Sequence, residues 1–150
     1  MTFDYDPNHY YLVSSNQSVL SLKNNLKKYK KLIKEGNFLV IGEKIKKELS
    51  LIGARKILKT FLDSYDLEIY LKKNNKIKYI NHLTGNVPNE VLKKINKAGN
   101  AKIIFTTIYK TYFKKNLSHN LKRLLFKQKI KVMLHYSLKS SEVFFSKLSN

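Results

Sequence analysis

Apolar positions recur along this chain in two rhythms. Val19, Leu22, Leu26, Tyr29 and Ile33 alternate spacings of three and four, which places them on one face of a helix. Lys23, Lys27, Lys30 and Lys34 repeat that rhythm one residue later, so a helix packed by its apolar stripe carries a wall of ammonium groups beside it. Ser18 is the expected N-cap, its hydroxyl accepting from an orphan backbone donor. The helix is expected to end near Glu35, with Gly36 in the left-handed C-terminal position. Phe38 to Ile41 is a short apolar run between Gly36 and Gly42, the pattern of a strand buried on both faces. A second helix follows from Glu43 to Ile52 with Ile45, Leu49 and Ile52 on one side, and Gly53 stops it.

Strand, short turn and helix in that order predict an α/β unit. Lys56 to Leu62 fits neither period cleanly and reads as a strand because the following unit needs one. Leu67, Ile69 and Leu71 alternate, as do Ile77, Tyr79 and Asn81, and the polar KKNNK segment between them reads as a hairpin or an edge. Asn86-Val87-Pro88-Asn89 reads as a turn into a helix with Val91, Leu92, Ile95 and Ala98 buried, ended by Gly99-Asn100. Ala101 to Tyr109 is the strongest strand signal in the chain. Beyond Lys110, Leu117, Leu121, Leu124 and Leu125 predict a helix, Ile130, Val132 and Leu134 a strand, and Ser141 the cap of a last helix through Leu148. Aromatic residues around Pro7 make residues 1–16 an N-terminal arm whose one strand-like piece is Tyr11 to Val13. The domain reading is thus an arm at 1–16, an α/β domain at 17–109 and a basic, mainly helical extension at 110–150.

Charge changes the picture more than composition does. At 43% hydrophobic and 27% charged, 150 residues are globular in character and enough for one core plus an extension. Thirty Lys and Arg against ten Asp and Glu give a formal net charge of +20, a field that draws in polyanions. The last fifty residues hold eleven of those cations against the single acid Glu142. Only Arg55 and Arg123 are arginine. Lysine binds phosphate as a point charge without bidentate geometry, so the expected binding follows the backbone and weakens steeply with salt.

Other chemistries are read out by what is missing from the sequence. Without cysteine there is no disulfide, thiolate nucleophile or thiolate zinc site. His9, His82, His119 and His135 are scattered, with no pair at metal-ligand spacing, and no glycine loop of a nucleotide-binding kind occurs. Neither a metal nor a cofactor is expected. Tyr29, Tyr65, Tyr70, Tyr79, Tyr109, Tyr112 and Tyr136 could stack on bases, although aromatic residues at such spacings usually belong to a core. Asp4 and Asp6 stand where a secretory signal has positive charge, and the apolar runs are too short to cross a bilayer, so the expectation is a cytoplasmic protein with no membrane partner.

The run SSNQSVLSLKNNLKKYKKLIKEGNFLVIGEKIKKEL, from Ser14 to Leu49, resembles the substrate-recognition domain that opens many SpoU-type RNA 2′-O-ribose methyltransferases. Lys30 and Lys31 stand where that family usually has arginine, followed by Gly36, Phe38, Gly42 and Glu43; VPNEVLKKI at Val87 to Ile95 is similar to a later helix start. Ile41 replaces the acid common before the second glycine. The resemblance spans roughly Ser14 to Tyr109 and implies an L30-like fold, a small mixed sheet sandwiched by helices. The family's knotted domain for S-adenosylmethionine needs glycine motifs, and no glycine lies beyond Gly99. Ser137-Leu138 is followed by Lys139 where a third motif has asparagine. The resemblance therefore implies an RNA-recognition module without methyltransferase activity of its own, binding rRNA or tRNA, with any catalytic subunit supplied in trans.

The sequence thus nominates Lys23, Lys27, Lys30, Lys31, Lys34, Arg55, Lys72, Lys73, Lys122 and Arg123 as phosphate contacts. A rival reading is an interaction protein whose basic tail, with Leu121, Leu124, Leu125 and Phe126 beneath its lysines, meets an acidic partner or an anionic membrane surface.

Overall fold

The computed structural model describes residues 4–87, 90–98, 101–114, 116–135 and 138–148. Expectations placed on Phe3, Pro88, Asn89, Gly99, Asn100, Tyr136, Ser137 and the side chain of Ala98 lie outside the described residues. Met1–Thr111 form one compact unit and Tyr112–Asn150 a second.

The first unit is built from β1 (Tyr10–Val13), α1 (Asn16–Asn24), α2 (Leu26–Glu35), β2 (Asn37–Ile41), α3 (Glu43–Leu51), β3 (Ile57–Phe61), α4 (Ser64–Lys73), β4 (Tyr79–Gly85), α5 (Glu90–Ala98) and β5 (Lys102–Tyr109). The strands form one sheet in the order β3-β2-β1-β4-β5. All four pairings are parallel, with Leu12 opposite Leu39 on one side and His82 on the other. Parallel neighbours need crossovers, and helices supply them on both faces of the sheet. One buried layer joins Tyr11, Val13 and Val40 to Leu22 of α1, Leu32 of α2 and Leu49 of α3. The other joins Leu12, Leu39 and Ile80 to Leu67 of α4 and Leu92 of α5. The α/β class with helices flanking a sheet is therefore as the sequence reads.

Several local expectations differ, each for a physical reason. The strand-like piece at Tyr11 to Val13 does form a strand, Tyr10–Val13, but as the middle one of the sheet, where four apolar side chains in a row suit burial on both faces. Residues 67–71 form no strand: Asp63 caps α4 by accepting from the N–H groups of Tyr65 (2.8 Å) and Asp66 (2.9 Å), and Leu67 and Leu71 lie one helical turn apart. Among the described residues there is then no hairpin and no antiparallel pair, and the sheet is parallel where a mixed one was expected. The long basic helix breaks at Asn25, whose side-chain amide donates to the Ser21 carbonyl at 2.9 Å while its backbone leaves helical geometry. Past the break Tyr29 and Ile33 stay buried as their spacing predicts, joined by Leu32, whereas Leu26, the first residue of α2, is 48% exposed.

The N-cap of α1 is Ser15, not Ser18: Ser15 Oγ accepts from the Ser18 N–H at 3.1 Å, and the buried Ser18 hydroxyl donates to the Leu83 carbonyl at 2.7 Å. Gly36 is extended (φ −65°, ψ 142°) rather than left-handed; it has to be small because a Cβ there would lie 2.6 Å from the Leu32 carbonyl oxygen. Val91 is exposed beside the buried Leu92 and Ile95. In the second unit, α6 (His119–Phe126) forms as expected, α7 (Leu138–Ser146) starts before Ser141, and Ile130 to Leu134 adopt no strand. Among the described residues that unit offers no strand to pair with one there.

Candidate nucleic-acid interface

Four of the nominated cations meet at one groove. Lys27, Lys30 and Lys34 lie along one edge of α2 at spacings of three and four, and Arg55 faces them from the turn after α3. The groove has a volume of about 390 Å³, and Leu26, Ile33, Ile52 and Gly53 complete its lining. Its shape follows from local sequence. Tyr29, Leu32 and Ile33 face inward from α2, which leaves the lysines on the outer edges of the helix. Gly53 then takes φ 102° and donates its N–H to the Ser50 carbonyl at 2.9 Å, turning the chain sharply so that Arg55 reaches the groove two residues later.

Among the described residues, no carboxylate lines this groove, and none of its four cations makes an ion pair. Apolar walls beneath uncompensated cations concentrate the local field. From Lys27 to Lys34 the helix advances about 10 Å at roughly 1.5 Å per residue, enough to follow a phosphate chain past more than one charge.

The other nominated residues lie elsewhere. Lys23 is on α1 outside the groove, and the ammonium of Lys31 sits 5.4 Å from the Tyr5 ring centroid. Lys72 and Lys73 belong to α4, which covers the opposite face of the sheet from α2. Lys72 is already paired with Glu68 at 2.7 Å, and hydrogen bonding to that carboxylate raises its pKa. Lys122 and Arg123 are on α6 in the second unit, where the Arg123 guanidinium donates to Asn120 Oδ1 at 3.1 Å. Of the tyrosines, Tyr29 is core and Tyr65, Tyr79 and Tyr112 are exposed, but none lines the groove.

A second constellation was not visible in the sequence. The chain leaves β1 for one face of the sheet through α1 and leaves β4 for the other through α5, so the strand order reverses between the carboxyl ends of β1 and β4. Open parallel sheets bind ligands at such a place. Ser14 Oγ lies 2.8 Å from His82 Nε2, and Ser15 Oγ lies 2.8 Å from Ser18 Oγ and 3.3 Å from the Tyr109 hydroxyl. The Tyr109 ring covers Gly85, where a Cβ would stand 2.6 Å from it. His82 is 1% exposed, and burial lowers its pKa to about 4, so its imidazole is neutral near pH 7. Among the described residues its Nδ1 has no hydrogen-bond partner, so none of them supplies the serine–histidine contact with the third group that orients a catalytic base. The one signal in the sequence was the run of Ser and Asn that follows the Tyr-Leu-Val strand.

No protein-family model, curated protein or solved structure matches this chain. Function is therefore read from its own residues. Among the described residues, no three His, Asp or Glu side chains stand together as a metal site, and no helix is long and apolar enough to cross a membrane.

Proposed function

We propose that the α/β unit binds the sugar–phosphate backbone of RNA along α2, with Lys27, Lys30, Lys34 and Arg55 as the contacting cations. The observation that carries this reading is the convergence of those four charges on one groove with no carboxylate in its lining. A chain of net charge +20 supplies the long-range attraction that brings a polyanion there. The resemblance of Ser14 to Leu49 to the recognition domain of SpoU-type ribose methyltransferases points to rRNA or tRNA as the target, with a catalytic subunit acting in trans. The proposal rests on the groove and its charge, not on an L30-like layout. Fluorescence anisotropy with a structured RNA should give saturable binding that the triple reversal K27E/K30E/K34E weakens by at least tenfold. Pelleting with anionic liposomes at the same salt should leave the protein in the supernatant. Liposome capture without RNA binding would replace this reading with a membrane-surface or acidic-partner role.

The strand-order reversal favours a second reading, in which a small polar ligand occupies the cleft between the ends of β1 and β4. The hydroxyls of Ser14 and Ser15 would receive it. A ligand screen by thermal shift should then give a stabilisation that S14A/S15A abolishes and the α2 charge reversals leave intact.

A further inference from the structure

We infer that the α2 groove takes an unstacked RNA base into its apolar floor, so that the protein prefers single-stranded RNA to a duplex. This rests on the RNA reading of the same groove and adds the kind of RNA strand. The lining is not that of a simple phosphate track. Leu26, Ile33 and Ile52 form an apolar surface between the cations, and Gly53 leaves that surface without a side chain where the turn passes. Leu26 is 48% exposed although the neighbouring positions of α2 are charged, so about half of an apolar side chain stays open at the groove. A volume of about 390 Å³ falls within the range of roughly 300 to 1,000 Å³ typical of pockets that hold a small organic ring system.

The groove thus offers two chemistries side by side, ammonium groups at its rim and hydrocarbon at its floor. A duplex can use only the first, because its bases are stacked and its outer surface presents phosphate and ribose. A single strand can use both: phosphates pair with Lys27, Lys30 and Lys34, while a base turned inward lies on Leu26 and Ile52. Proteins that hold single strands usually provide an aromatic platform inside a basic groove. Here aliphatic side chains take that part, and the planar guanidinium of Arg55, free of any ion pair among the described residues, can stack on the base's other face.

The test is anisotropy with a short oligouridylate, whose bases stack weakly, against a blunt RNA duplex of equal length at the same salt. The single strand should bind about tenfold more tightly. L26Q replaces an exposed leucine without opening the core, and R55K keeps the charge while removing the plane. L26Q should weaken the single strand about fivefold and leave the duplex unchanged, whereas R55K, at a residue that also contacts phosphate, should weaken the single strand more than the duplex. Equal affinity for both RNAs, or an equal loss of both in L26Q and R55K, overturns the base-binding floor while leaving phosphate binding in place. Failure of either RNA to bind overturns the RNA reading and this inference together.

Discussion

His82 shows what a single residue can contribute that its place in the sequence does not announce. Met with three scattered partners in the sequence, it reads as a surface or packing histidine; in the structure it is enclosed in the central region of the sheet beside β1. Burial brings its pKa to about 4 from an ordinary value of 6.5, and the sign of the consequence is fixed. Between those values the unfolded chain binds more protons than the folded one, so the stabilisation is complete above about pH 6.5 and is lost as the pH falls toward 4. The loss amounts to about 3 kcal/mol. Urea midpoints at pH 7 and pH 4.5 should fall further apart in the wild type than in H82Q; equal pH dependence in both would mean the imidazole is not held neutral. Gly85 is the companion case. In G85A the added methyl group meets the Tyr109 ring, a clash that should cost about 1 to 3 kcal/mol. G85A/Y109A should lose less than the sum of the single changes, because both act on one contact. Such contacts depend on which strands are neighbours, and residue spacing does not encode that.

At the level of elements, the chain was legible where its period was unambiguous. The Phe38 to Ile41 run, the α3 stripe and the last strand of the sheet fall where their patterns place them. It misled where two periods overlapped. Leu67, Ile69 and Leu71 satisfy an alternation and a helical pair equally, and the cap at Asp63 decides for the helix. The basic helix shows the opposite error, a period extended across a break that one asparagine makes. That break can be tested directly. Leu32, at 1% exposure, should cost about 2 to 5 kcal/mol when replaced by alanine, whereas the half-exposed Leu26 should cost within about 0.5 kcal/mol. An unbroken stripe through Leu26 would require comparable losses at both positions. Leu26, the first residue past the break, lines the groove together with Lys27 and Lys30.

At the scale of the whole molecule, charge was the strongest signal in the sequence and the fold sorts it. Of ten nominated cations, four share a groove, Lys23 and Lys31 lie on α1 and α2 outside it, two lie on the opposite helical layer and two on the second unit. Composition could not make that division, since it follows from strand order: α2 and α4 fall on opposite faces of a parallel sheet. Nor could spacing reveal the apolar floor, whose residues come from α2 and from the turn after α3. The central claim is that phosphate binding is localised in the α2 groove and not spread over a basic surface. The most direct test is the slope of log affinity for RNA against log salt, in the wild type and in K27E/K30E/K34E. Each phosphate contact contributes about 0.7 to 0.9 to that slope, so the triple reversal should flatten it by about two to three. An unchanged slope would place the contacts elsewhere on the molecule and contradict the account.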